Sequence, residues 1–332
     1  MSELYPLLMM PLFDPRPWGT HDLSPVYPKT FDEKIGESWL TGDHCKVQNG
    51  PLAERSLGDL ASEYERELVG EAPADQFRFP LLAKFLFPHE KLSVQVHPDD
   101  EDARSIGQPW GKTECWYVVH AEPKAQIGLG LQPGVTRAQF QRSIEENRAE
   151  ELLNWINVRA GDMFYVAGGT VHTLGPGSII VETQQQSDTT FRLYDYGRPR
   201  ELHLQDGLRA IKENVASGRV KPQAFEKFGH NGNRRRSLVS APYFVVEQFD
   251  LSAPNQFEGD QNAKSSVQIL VAIEGNALLE CPGAPSVSFS KGDAVVVPAS
   301  NPTFTVHPEP GVQFLKSYVP GMNLPEPETS LV

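Results

Sequence analysis

Gly161-Asp-Met-Phe-Tyr-Val-Ala-Gly-Gly-Thr-Val-His172 lines up without gaps against Gly292-Asp-Ala-Val-Val-Val-Pro-Ala-Ser-Asn-Pro-Thr303. Each copy reads as a Gly-Asp turn, an apolar strand and a loop, and the recurrence predicts two related β-units. Around the copies, short runs rich in Val, Ile, Phe and Tyr alternate with 28 Pro and 27 Gly, as in a sandwich or barrel. Strands are expected over 91–97, 113–120, 163–166, 179–184, 243–251, 267–274, 294–297 and 312–318. The fold class is therefore mainly all-β, two jelly-roll units with small helical segments, each closing its sheet around a pocket. Helices are expected over 137–155, where apolar residues recur at helical spacing, and over 202–217, preceded by Pro199 and ended by Gly218. The expected domains are 1–198, with a short helical insertion near 134–157, a helical linker 199–222, and a second unit 223–332.

A chain of 332 residues can bury a sizeable core in one large or two ordinary domains. Its net charge of -13 argues against nucleic acid or an anionic membrane as partner, since both would repel it. A phosphorylated sugar is still admitted, because one local Arg or Lys cluster can hold a phosphate. The basic run 234–236 reads as a solvated loop. No apolar run reaches membrane-span length, and Leu7 to Met10 lies between Pro6 and Pro11 without a basic flank. Three cysteines without CxxC spacing suggest neither a disulfide framework nor a thiolate site, so a reducing, cytoplasmic setting is expected. Nothing in the sequence sets an oligomeric state.

In Leu92-Ser-Val-Gln-Val-His97, strict alternation puts Leu92, Val94 and Val96 on one face and Ser93, Gln95 and His97 on the other. The same period puts Lys112, Glu114 and Trp116 on one face of the next strand. His172 follows the small-residue loop Gly168-Gly-Thr, which lets the backbone turn tightly before the imidazole points inward. A single strand histidine is ordinarily a packed or surface residue. Two imidazoles, a carboxylate and an amide on pocket-facing positions together suit a divalent ion of the zinc type, with an open position for water or substrate. In the second copy Thr303 stands at the His172 position. Alignment through Glu122 and Glu274 sets Ser266 opposite Glu114, so one working site and one structural unit are expected.

At these residues the sequence resembles the type I phosphomannose isomerases of the cupin superfamily. The resemblance is carried by Gln-Val-His-Pro-Asp-Asp (95–100), Gly-Lys-Thr-Glu-Cys-Trp-Tyr (111–117), Gly-Gly-Thr-Val-His (168–172) and Ser-Asp-Thr-Thr-Phe-Arg (187–192). Pro15-Arg-Pro-Trp-Gly19 and Gly36-Glu-Ser-Trp39 extend it over roughly residues 5 to 200. It implies two cupin-like units, one zinc ion per chain bound by Gln95, His97, Glu114 and His172, and Arg192 at the active site. The implied activity is interconversion of mannose 6-phosphate and fructose 6-phosphate through an enediol(ate). The short stretch between Glu114 and His172 leaves out the large helical insertion of longer members, as in a compact bacterial form. The loop before His172 reads Ala-Gly-Gly-Thr where many relatives have Pro-Ala-Gly-Thr.

Such a reaction needs an electrophile, a base and a phosphate anchor. Arg192 and Lys112 can hold the phosphate, and Lys112, Glu182 and Asp188 are the candidate proton carriers. Asp188 and Arg192 also admit a structural ion pair. Ser93, Lys112, Arg192 and Trp18 are expected to contact substrate, with Trp39 and Tyr117 as further pocket walls. The rival readings are a sugar-binding cupin without turnover, an isomerase of an unphosphorylated or different sugar, and an iron-dependent cupin dioxygenase.

Overall fold

Strand Glu114–Ala121 organises the molecule through its alternation. Glu114, Trp116 and Val118 face one way; Cys115 and Tyr117 face the other and pack in a different cluster. The structure is a computed structural model and describes residues 4–71, 78–213, 215–229, 232–258, 266–320 and 329–332. Its strands form three sheets. A seven-stranded sheet runs in the order Gly218–Arg219, Met163–Val166, Glu114–Ala121, Ser178–Gln185, Leu81–Leu86, Thr30–Trp39 and Leu12–Asp22. A five-stranded sheet runs Phe191–Tyr194, Val94–Val96, His172–Leu174, Gln126–Leu131 and Leu153–Asn157. The third, of nine strands, is built mainly from residues beyond 225, but Leu7–Leu8 forms one of its edges. Each half of the chain thus lends a short edge strand to the other's sheet.

Three apolar layers follow. Trp116, Val118, Phe164 and Ile180 of the seven-stranded sheet meet Ile127, Leu129 and Leu174 of the five-stranded sheet, filling the space below the polar side chains described next. On the opposite face of the seven-stranded sheet, Phe85, Cys115, Tyr117 and Val181 pack with Val246, Ile269, Val271 and Val296 of the nine-stranded sheet. The remaining face of that third sheet closes on its own core, in which Phe249, Phe257, Phe304 and Phe314 stack with Leu270 and Val295.

The repeat is exact in its hydrogen bonding. Gly161 N–H donates to Val118 O at 2.8 Å and Val118 N–H to Asp162 O at 2.9 Å. Gly292 N–H donates to Ala272 O and Ala272 N–H to Asp293 O, both at 3.0 Å. Asp162 accepts from Arg159 N–H, and Asp293 from Ser290 N–H. Both glycines have positive φ, 89° and 94°, a region costly for any residue with a Cβ. These pairings correct the alignment of the copies: Glu114 pairs with Val166 and Gln268 with Val297, so the counterpart of Glu114 is Gln268, two residues beyond Ser266.

Several expected elements differ. The ladder over 91–97 covers only Val94–Val96. Val94 and Val96 pack behind the five-stranded sheet against Phe140, Ile144 and Ala210, whereas Leu92 turns into the inner layer. The helix expected over 137–155 is Arg137–Glu145, begun by a Thr136/Gln139 capping box. A 3-10 turn follows, and Leu153–Asn157 is a strand paired with Gln126–Leu131, because ladder pairing there overrides the helical spacing. The helix expected over 202–217 shortens to Leu204–Ala210, Ile211 being extended; Asn214 lies outside the described residues. Helix Leu57–Val69, capped by Ser56, and the strands Leu12–Asp22, Thr30–Trp39 and Leu81–Leu86 add to the expected set. The run 234–236 opens strand Arg234–Ser240, not a loop, with Arg234 paired to Asp250 and Arg235 to Glu226. No helix among the described residues is long and apolar enough to cross a membrane.

Candidate active site

Cross-strand register sorts the inner face of the seven-stranded sheet into rows. Leu86, Ile180 and Val118 form an apolar row. The next row reads Trp39, Lys84, Glu182, Trp116 and Phe164, and the third Leu82, Gln184, Glu114 and Val166. Across the interior, the five-stranded sheet contributes the row Leu129, His172, Gln95 and Arg192. Period two thus stacks oil beneath charge, and the charge meets two imidazoles and an amide.

His97, Glu114 and His172 are 1–2% exposed, and their donor atoms lie within 4.8 Å of one another. His97 donates Nδ1–H to the Thr189 carbonyl at 3.0 Å and His172 donates Nδ1–H to the Thr170 carbonyl at 2.9 Å. A carbonyl only accepts, so each Nε2 keeps its lone pair, and both face Glu114 at 3.5 Å. Burial drives the His97 imidazole well below its ordinary range, helped by Lys112, and burial pushes His172 down to about 4. Glu114 is pushed up to about 8, first by burial and then by Glu182, against the pull of Lys112 and Lys84.

Neutral imidazole lone pairs therefore point at the Glu114 oxygens in a buried interior. His97 Nε2 and both Glu114 oxygens lack a hydrogen-bond donor, an expensive arrangement that a cation among them relieves. Gln95 completes the set: its Nε2 lies 3.2 Å from His172 Nε2, its Oε1 accepts from Ser93 Oγ at 3.2 Å, and a half-turn of the amide exchanges the two atoms. Two imidazoles, a carboxylate and an amide fit a divalent metal of the zinc class.

Buried cations flank this cluster. Lys112 Nζ stands 3.4 Å from Glu114 Oε2 and 3.9 Å from Glu182 Oε1. Glu182 accepts from the Trp116 indole at 3.0 Å and pairs with Lys84 at 3.1 Å. Lys84 also pairs with Glu37 at 3.2 Å, and Glu37 is held by Arg16 at 3.0 Å and by the Trp39 indole at 2.7 Å. Arg192 lies beside Gln95 with Nη1 on the Glu201 carbonyl and Nε buried without a partner. It forms no ion pair with Asp188 among the described residues.

The sequence-predicted residues divide by place. Gln95, His97, Glu114, His172, Lys112, Glu182, Ser93 and Arg192 gather around one centre. Asp188 is exposed and lines a neighbouring cleft of about 340 Å³ with Trp39, Arg78, Trp110 and Thr189. Trp18 is 3% exposed among Leu86, Leu92 and Trp116. Tyr117 faces the nine-stranded sheet, away from the interior it was expected to wall. Glu37 and Lys84 were missed as site residues. A lone lysine inside the fully buried run Leu81–Leu86 was the available signal, since buried lysines are paired.

Comparison with known proteins gives the family of the chain. A family model described as phosphomannose isomerase type I, catalytic domain, matches residues 20–109. Mannose-6-phosphate isomerase ManA of Bacillus subtilis (strain 168) is 35% identical over 308 residues, covering 88% of this chain and 93% of that protein. The mannose-6-phosphate isomerase of Streptococcus mutans is 32% identical over 304 residues, covering 88% of this chain and 92% of that protein. The crystal structure of the Bacillus subtilis mannose 6-phosphate isomerase superposes with a TM-score of 0.82 at 31% identity, over 94% of this chain and 99% of that one. With relatives of this identity and coverage sharing its whole architecture, the chain belongs to the type I phosphomannose isomerase family.

Proposed function

We propose that the protein interconverts mannose 6-phosphate and fructose 6-phosphate, using one zinc ion held by Gln95, His97, Glu114 and His172. The observation that carries this reading is the buried cluster of donor-less ligand atoms beside two lysines and a fixed carboxylate. When bound, zinc supplies Lewis-acid polarisation of the sugar oxygens at the reacting carbons. The chain's own groups do the rest. Glu182, fixed by Trp116 and Lys84, takes the proton from C2 of the open-chain aldose to leave an enediolate; the O2 hydroxyl proton passes to O1, and Glu182, whose proton exchanges with solvent meanwhile, delivers one to C1. Lys112, between Glu114 and Glu182, offsets the negative charge that builds on oxygen. Arg192 holds the phosphate with its planar fork, Ser93 and Trp18 shape the substrate side, and Asp188 meets the sugar at the rim.

In this reading residues 1–198 carry the site, with the insertion near 134–157, while 199–222 link them to a supporting unit, 223–332. Three buried, unpaired cysteines fit a reducing, cytoplasmic setting. Turnover in deuterated water tests the mechanism. Deuterium appearing at C1 of fructose 6-phosphate, with no turnover of free mannose, is expected. Product formed without label, together with an undiminished kcat in Glu182→Gln, would remove Glu182 from its role. Equal turnover of free mannose would remove the phosphate-binding role of Arg192.

A further inference from the structure

Lys84 has no role in the ligand set, yet the residue is 4% exposed and its ammonium bridges Glu37 and Glu182 at 3.2 and 3.1 Å. Strand register makes this a built row: Lys84 stands directly opposite Glu182 on one side and Trp39 on the other. Behind it, Arg16 neutralises the far side of Glu37 and is itself tied to Asp14 at 2.6 Å. The chain of charges runs from the rim of the sheet, Asp14 to Arg16 to Glu37 to Lys84, and ends on the carboxylate facing Lys112.

The second unit repeats the last three positions of this row with their signs reversed. Glu247 stands opposite Lys316 at 3.1 Å, with Arg235 behind it at 3.8 Å. Register makes Glu247 the counterpart of Lys84, Lys316 that of Glu182 and Arg235 that of Glu37. The fold therefore accepts either polarity at this place. Packing does not dictate which strand carries the carboxylate, and only in the first unit does a carboxylate end the row beside a metal-ligand cluster.

We infer that Lys84, backed by Glu37 and Arg16, is a positioning residue for the isomerisation, fixing the Glu182 carboxylate in its working orientation beside Lys112. Lys84 can act in this way only if Glu182 moves the proton, as proposed above. An exposed lysine would rotate freely. This one is clamped between two carboxylates, with its ammonium 5.4 Å from the Trp39 ring centre.

The test compares Lys84→Met, Glu182→Gln, the double variant and Glu37→Gln as zinc-loaded enzymes, reading kcat, KM for mannose 6-phosphate and bound zinc. Lys84→Met is expected to lower kcat about ten- to a hundredfold, the usual loss when an orienting partner is removed, with KM and zinc content unchanged. Added to Glu182→Gln, it should lower kcat no further. Lys84→Arg should recover part of the loss, and Glu37→Gln should show a smaller loss of the same kind. Losses that multiply in the double variant, or an unchanged kcat in Lys84→Met beside a collapsed one in Glu182→Gln, would overturn the role of Lys84 alone. Wild-type kcat in Glu182→Gln would overturn the proton-carrier assignment beneath it. Should Lys84→Met not fold, Glu37→Gln decides, since it keeps the lysine and the shape: unchanged kcat there rejects the positioning network.

Discussion

Glu37 shows what a single buried charge does here. Burial alone would raise its carboxyl pKa, but Lys84 and Arg16 outweigh that and, with the Trp39 indole, hold it down to about 2. A carboxyl whose folded value lies below its unfolded value adds stability above the unfolded value, near 4.3, and loses it as pH falls toward the folded value. The linkage amounts to about 3 kcal/mol. Urea denaturation at pH 7, 4 and 2.5 should therefore show wild type losing more stability than Glu37→Gln across that window. Parallel losses in the two proteins would remove Glu37 from the acid response. The candidate metal ligands were legible in the sequence because each sits on an alternating strand or beside a tight turn, where period two or a glycine fixes direction. Glu37 and Lys84 were not, because each is explained only by a partner dozens of residues away in the chain.

Among the elements, the loop before His172 leaves no room for a side chain at Gly168. A Cβ on Gly168 would stand 2.7 Å from Asp99 Cα and 2.9 Å from Asp99 N, and backbone cannot swing aside as a side chain can. The neighbouring Gly169 N–H donates to the His97 carbonyl at 2.7 Å, so this one loop ties both imidazoles together. Gly168→Ala is expected to cost about 1–3 kcal/mol and to weaken zinc binding, read by thermal melting and by competition with a chelating dye. Zinc affinity left intact would show that the loop can shift without moving His172. The sequence revealed this loop through its small residues, and both Gly-Asp turns through their repetition. It overextended the first of the two expected helices for one physical reason. Helical spacing over 149–157 is weak local evidence, and Leu153–Asn157 gains more from pairing with Gln126–Leu131 than from continuing a helix. The first two long strands escaped because Pro, Gly and charged residues interrupt Leu12–Asp22 and Thr30–Trp39.

At the level of the whole molecule, the two units share the apolar layer between the seven- and nine-stranded sheets, and Leu7–Leu8 of the first unit edges the sheet of the second, so neither has an independent core boundary. Phe249 lies in the second unit's own core, stacked on Phe314 at 5.2 Å and 1% exposed. Phe249→Ala should cost about 3–5 kcal/mol and lower the melting temperature of a single calorimetric transition, leaving KM unchanged. Two separate transitions, with only one shifted, would show that the units unfold independently. Duplication of the fold was readable from the Gly-Asp echo, but the two-residue offset between its halves and the reversed charge row needed the strand register, which sequence similarity between the copies is too weak to give.

If a metal centred on His97, Glu114 and His172 enables this chain to isomerise a hexose phosphate, turnover follows the metal. Formation of fructose 6-phosphate from mannose 6-phosphate is to be measured on the purified protein, after chelation and after return of zinc. Turnover that chelation abolishes and zinc restores is expected. Turnover that persists in protein stripped of all metal, or none in metal-replete protein, would contradict it.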